Sequence, residues 1–170
     1  MDKEKIKKNL KEILPYIIAI VVVLIIKNFV VSPVMVNGTS MDPTLRNKEI
    51  MILNRLKYKF DDIKRFDIVV IKKDSLIIKR IIGLPGETVE IIDNKLYIND
   101  KEIKEKFLND DVITGDFQLE EKIPKGYYFV LGDNREVSAD SRGIGLISKD
   151  EIEGHASLTI FPFNRFGTKK

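Results

Sequence analysis

Cysteine is missing from the 170 residues, and histidine occurs once, at His155. The first absence removes disulfides, cysteine nucleophiles and thiolate metal sites. The second leaves too few soft ligands for an ordinary zinc or di-iron centre. Compartment stays open, because a cysteine-free chain tolerates either redox state. A basic surplus is also lacking where a nucleic-acid binder would need it. Residues 1–31 hold six Lys against three Asp/Glu and account for the whole net charge of +3. Residues 32–170 hold 23 Lys+Arg against 23 Asp+Glu. Phosphate contacts dominate nucleic-acid affinity, so this neutral body excludes DNA or RNA as the expected partner. The length suits one domain with a core of its own.

One long apolar run is present. After a polar, basic head (residues 1–12) comes Ile13–Val31, whose stretch from Tyr16 to Ile26 carries no charge. As a helix its nineteen residues span roughly 28 Å, close to a hydrocarbon core. Pro15 is expected in the first turn, where a missing N–H costs little, and Lys27 can snorkel to an interface. Three readings compete: a buried core helix, a cleavable leader and an uncleaved anchor. A core helix should show a polar stripe, absent from Ile17 to Ile26. A leader needs small residues at a processing site, and Lys27–Val36 offers no Ala-x-Ala pattern. An uncleaved single-pass anchor over residues 13–31 fits. Lys3, Lys5, Lys7, Lys8 and Lys11 precede it, and residues 28–45 contain no Lys or Arg. The positive-inside rule then sets the N-terminus in the cytoplasm and residues 32–170 outside.

Beyond Ser32 short Ile- and Val-rich runs alternate with turn residues. They predict strands near 33–37, 49–55, 66–72, 75–83, 87–92, 95–99, 115–121, 126–131 and 154–161. Asp93-Asn94 signals a hairpin, and Pro85-Gly86 the centre of a type II turn. Helical periodicity is thin, with short candidates near 61–65 and 148–153. The body is mainly antiparallel β.

Three segments could carry chemistry. The first is Asn37-Gly38-Thr39-Ser40-Met41-Asp42-Pro43-Thr44-Leu45, where Asp42 is the one charge. Ser40 lies nine residues past Val31, at most about 30 Å of extended chain; alone, Ser-x-x-Pro-Thr is more often a turn or cap than a nucleophile. The second is Ser75–Gly83. Alternation puts Lys79 on one face with Ile77 and Ile81, and Arg80 on the other with Ile78 and Ile82. Such a lysine is a candidate for desolvation, which favours the neutral amine. An edge strand guarded by a charge pair reads the same way. The third is Gly132–Gly145, a polar loop rich in Asp, Arg and Ser after an apolar strand. It is either a solvated turn or a scaffold for a site built elsewhere.

Taken together these segments resemble bacterial type I signal peptidases, especially the short single-anchor form of Gram-positive bacteria. The resemblance covers nearly the whole chain: the anchor, Ser40-Met41-Asp42-Pro43-Thr44-Leu45, Phe66-Asp67-Ile68-Val69-Val70, Lys79-Arg80-Ile81-Ile82-Gly83-Leu84-Pro85-Gly86-Glu87, Gly132-Asp133-Asn134-Arg135, and Ser138-Ala139-Asp140-Ser141-Arg142. It implies a serine–lysine dyad, with Ser40 as nucleophile and Lys79 as general base. It further implies that Ser138 orients the amine and that Asp133 with Arg80, and Asp140 with Arg142, form supporting pairs. The Ser40 N–H is expected in the oxyanion hole. Many Gram-negative relatives carry a serine two residues before the nucleophile; here that position is Gly38, whose backbone N–H is expected to contribute instead. The segment of about 88–125 is short, implying a small cap insertion in the catalytic domain. Implied partners are secretory preproteins with small residues at −1 and −3, the lipid bilayer and a nearby secretion translocase. An extended substrate is expected beside residues 76–82, with apolar walls from Val34, Met35 and Met41. The implied setting is the plasma membrane, and neither metal nor nucleotide is needed.

Other readings remain. A Ser–His–Asp hydrolase could combine Ser40, His155 and Asp140, although nothing near His155 in sequence orients it. Self-cleaving repressors use a similar dyad but need a DNA-binding module and a soluble body. A membrane-anchored assembly protein could keep such a fold without activity.

Overall fold

A computed structural model describes residues 3–25, 30–109 and 111–169. It opens with helix α1, Lys3–Ile25, in which the described side chains from Lys11 to Leu24 are all exposed. The helix starts in the charged head because Lys, Glu and Leu are good helix formers. Pro15 therefore lies inside it rather than in its first turn. Among the described residues no helix is long and apolar enough to cross a membrane. The uncharged part of α1 runs from Ile13 to Ile25 and spans about 20 Å. Residues 26–29, including Lys27, lie outside the described residues, and Val31 already begins a strand. A buried core helix is ruled out by the exposure of Ile13, Ile17, Ile20 and Val23.

The body is antiparallel β. Strands β1 (Val31–Met35), β2 (Ile50–Asn54), β3 (Ile68–Lys72) and β4 (Leu76–Gly83) are followed by β5 (Val89–Ile92), β6 (Lys95–Ile98), β7 (Lys101–Glu102) and β8 (Phe117–Gln118). Then come β9 (Tyr127–Leu131), β10 (Ile147–Ser148), β11 (Ile152–Phe161) and β12 (Gly167–Thr168). The larger sheet has the order β1-β2-β11-β3-β4-β9-β10, with β12 on β11; the smaller has the order β7-β6-β5-β8. Asp93 and Asn94 turn the β5–β6 hairpin with φ of 51° and 63°, the conformation a two-residue loop requires.

Short helices differ from expectation. The first, α2, is Lys57–Phe60, and residues 61–65 are not helical. Near 148–153 there is one 3-10 turn, Lys149–Glu151, capped reciprocally by Ser148 and Glu151. The expected strand at 115–121 shrinks to β8, and that at 66–72 starts only at Ile68, because Phe66 adopts φ 71°.

Three apolar clusters hold the sheets. In one, Val36, Met41 and Leu45 from the loop after β1 pack on Leu53, Ile68, Val70 and Ile78. Each such side chain contributes roughly 1.5–3 kcal/mol when fully buried. This packing carries the Ser40 loop across the sheet onto β4.

Candidate active site

Lys79 sits in the middle of β4, opposite Val69 of β3, and is 3% exposed. As alternation predicts, Arg80 faces the other way and is fully buried. The strand is no guarded edge as a whole. Among the described residues its first half pairs with β3 alone, and β9 joins it only from Arg80 onward. Leu76–Lys79 thus offer free backbone groups on one side, whereas the expected substrate edge at 80–82 is already occupied. Burial pushes the Lys79 amine below the ordinary lysine range, against the pull of Asp140 and Asp133 and with help from Arg142.

Gly132–Arg142 forms a loop held by side-chain bonds. Asp133 takes Arg80 Nε at 2.8 Å and Nη2 at 2.6 Å, with both side chains wholly buried. Arg80 Nη1 donates to Phe66 O at 3.0 Å. Asp140 caps helix α3 (Ser141–Ile144), accepts Arg142 Nε at 2.8 Å and takes the Gly132 N–H at 3.1 Å. Ser141 Oγ accepts the Val130 N–H at 2.9 Å, fixing α3 to β9. Arg80 is thus paired with Asp133, and Arg142 with Asp140.

The nucleophile loop meets this one directly. Asn134 N–H donates to Ser40 O at 3.1 Å. Behind them lies Gly132, where a Cβ would come within 2.2 Å of Ser138 Oγ and 2.3 Å of Ser40 O. Gly132→Ala is therefore expected to force the two loops apart and to destabilise by about 1–3 kcal/mol, the usual cost of overpacking. Thermal unfolding in detergent reads this out; an unchanged midpoint would mean the contact is looser than described. On its other side the Ser40 turn is held by Arg165, which pairs with Glu49 and donates to Thr44 O at 2.9 Å.

Ser138 Oγ is buried and, among the described residues, has no hydrogen-bond partner. Among the described residues, no hydrogen bond links Lys79 Nζ to Ser40 or Ser138. The Gly38 N–H is engaged elsewhere, donating to Asn47 Oδ1 at 3.0 Å. Met41, expected as a pocket wall, is 1% exposed and belongs to the core, while Val34 is half-buried and Met35 exposed.

His155 is not near-orphaned, as its sequence neighbours suggest. Its Nε2 lies 3.6 Å from Asp67 Oδ1, and its ring stands edge-on to Tyr58. Burial opposes ionisation of Asp67, but His155, the Lys64 N–H, Tyr58 and Lys57 outweigh it and bring the carboxyl down to about 2. His155 pairs with Val69, which pairs with Lys79, so it stands two strand spacings from the lysine, about 10 Å. Its acidic neighbour is Asp67 and not Asp140, which breaks the imagined triad. Sequence reasoning also missed Glu105, Phe107, Thr114 and the Arg165–Glu49 clamp; each acts across a long sequence separation and leaves no local signal.

The family described as signal peptidase, peptidase S26, matches residues 10–161. Signal peptidase I P of Bacillus subtilis subsp. natto is 40% identical, with both chains covered in full. Signal peptidase IB of Staphylococcus aureus (strain COL) is 42% identical, over 92% of this chain and 93% of its own. A crystal structure of a signal peptidase I from Enterococcus faecalis V583 superposes with TM-score 0.51 at 39% identity, over 56% of this chain and 97% of that one. With a buried lysine and a conjoined serine loop on such a sheet, the chain belongs to the peptidase S26 family, as a serine peptidase of the type I signal peptidase class.

Proposed function

We propose that this chain removes N-terminal signal peptides from secretory preproteins, with Ser40 as nucleophile and Lys79 as general base. The observation that carries the reading is the burial of Lys79 beside the polar loop that meets Ser40. A neutral amine is the form that can accept a proton, and desolvation favours it. Lys79 takes the Ser40 hydroxyl proton as Oγ attacks the carbonyl carbon of the −1 residue. That proton passes to the leaving amine nitrogen as the C–N bond breaks, leaving an ester on Ser40. Lys79 then takes a proton from water, whose oxygen attacks the ester carbon. The signal peptide leaves as an acid, and the proton returns to Oγ.

Hydrogen bonds in unliganded sites are often loose and tighten in the substrate complex. Ser138 Oγ, buried without a partner, is the group that would receive the Lys79 amine. The Ser40 N–H is the oxyanion donor. The Gly38 N–H can join it only by leaving Asn47, so its part in the hole depends on that exchange. Substrate enters as an added strand on Leu76–Lys79, between that open edge and the exposed end of β1. Small residues at −1 and −3 then share one face. The exposed apolar part of α1 from Ile13 onward belongs to the bilayer anchor, with the basic head in the cytoplasm, residues 32–170 outside, and the secretion translocase close by.

The test uses the full chain in detergent with a preprotein bearing an Ala-x-Ala site. The expected product begins at the residue after the second Ala, read by N-terminal sequencing. Folded enzyme that leaves the preprotein intact would sink this reading and favour the non-catalytic assembly role.

A further inference from the structure

The second sheet and its loops make contacts with the site that the reaction as written does not use. Glu105 holds Arg135 in a bidentate pair, with Oε1 2.6 Å from Nη2 and Oε2 3.1 Å from Nη1. Both side chains are almost wholly shielded, at 8% and 1% exposure. Arg135 in turn donates from Nε to Gly132 O at 2.9 Å. Gly132 is the residue wedged between Ser138 Oγ and Ser40 O. A second thread runs through Thr114: its Oγ1 accepts Arg135 Nη1 at 3.1 Å, and its carbonyl accepts Arg142 Nη1 at 2.7 Å. At the other arm of the loop, the Phe107 ring lies 3.9 Å below the Arg80 guanidinium and packs edge-on against Phe66. Three residues of one segment therefore touch all three arginines that shape the loop: Arg80, Arg135 and Arg142.

The Gly132–Arg142 loop has no β ladder of its own, so its shape rests on these side chains. A shielded ion pair in low dielectric fixes geometry more firmly than a solvated one. We propose that Glu105 is a positioning residue for peptide cleavage, acting through Arg135 and Gly132 to hold Ser138 and the Ser40 loop against Lys79. This rests on the serine–lysine reading above. Phe107 supports the same loop through Arg80. Loosening the clamp shifts Ser138 away from the amine and admits water to Lys79, which raises the proton affinity of the base.

Glu105→Gln keeps the shape and removes the charge. The expected result, per folded enzyme, is a kcat lower by about 10–100-fold with KM little changed, as for a misplacement of about 1 Å. The ascending limb of the pH–rate profile should also move to higher pH, and Glu105→Asp should recover most of both effects. A merely structural role would lower the folded fraction without moving the limb. Phe107→Leu, which spares the ion pair, should shift the limb in the same direction by less, and decides the matter where Glu105→Gln does not fold. Folded variants with an unmoved limb and wild-type kcat overturn the proposal. Ser40→Ala assayed alongside separates the two levels: cleavage surviving there overturns the dyad, whereas its loss beside fully active Glu105→Gln overturns only the clamp.

Discussion

Lys79→Ala is expected to lower kcat/KM by at least about 10⁴-fold, and Ser40→Ala by as much, because nucleophile and base act as one unit. The double variant should be no worse than either single one, and independent losses that multiply would show that the two residues do not cooperate. The pH dependence has a definite sign. With Lys79 as the proposed base the active amine is neutral, so activity is expected to rise with pH as the proton leaves, with burial holding that limb below the ordinary lysine value. Stability follows the same proton. Between the depressed folded value and the ordinary one, the unfolded chain binds the proton and the folded chain does not. Stability therefore grows as pH climbs through that window, and the penalty of a buried charge applies in full below it. Lys79→Met should be inactive, lose that pH slope, and unfold at a higher temperature than wild type at pH below the limb. A limb at the ordinary lysine value in the wild type would remove desolvation from the account.

Asp133→Ala should cost about 3–5 kcal/mol, since it strands a guanidinium with no exposure to water. For a chain of this size that lowers the unfolding midpoint by roughly 6–20 °C. Arg80→Ala should cost at least as much, because it frees the Asp133 carboxylate, the Phe66 carbonyl and the Phe107 ring together. Replacing both partners with apolar residues, Arg80→Met with Asp133→Leu, should recover much of the loss, as buried pairs often exchange for packing at little cost. Denaturant unfolding of wild type, the two alanine variants and their double-alanine combination gives the coupling directly. A cost below about 1 kcal/mol for Asp133→Ala would put the pair in the class of surface ion pairs.

Much of this was legible in the sequence because β structure writes itself locally. Alternation in Leu76–Gly83 assigned opposite faces to Lys79 and Arg80, and the sheet keeps that assignment. The turn residues Asp93 and Asn94 marked their hairpin. The order of the motifs identified the family. Harder to read was anything decided by pairing between distant segments. Whether β4 is an edge depends on where β9 stops, a fact held in Leu131 and Gly132 and not in β4 itself. The Asp67 neighbour of His155 lies 88 positions away, and only the β11–β3 ladder brings it close. Apolar character likewise misled at Met41, since an apolar loop residue can line a groove or enter the core, and packing on Ile68 and Ile78 settled the matter.

The half-paired strand β4 has one further consequence. A chain segment can dock on Leu76–Lys79 only by exposing its own N–H and C=O groups sideways, and a helix has none to spare. With substrate docked as proposed, the residues leading to the cut must surrender their internal hydrogen bonds before they reach Ser40. Helicity favoured by a bilayer would have to end a few residues upstream, so glycine or proline there lowers the energy of docking while alanine- and leucine-rich continuations raise it. On the proposed docking, the open edge would select substrates by how readily their backbone unwinds, a criterion separate from the size of any side chain.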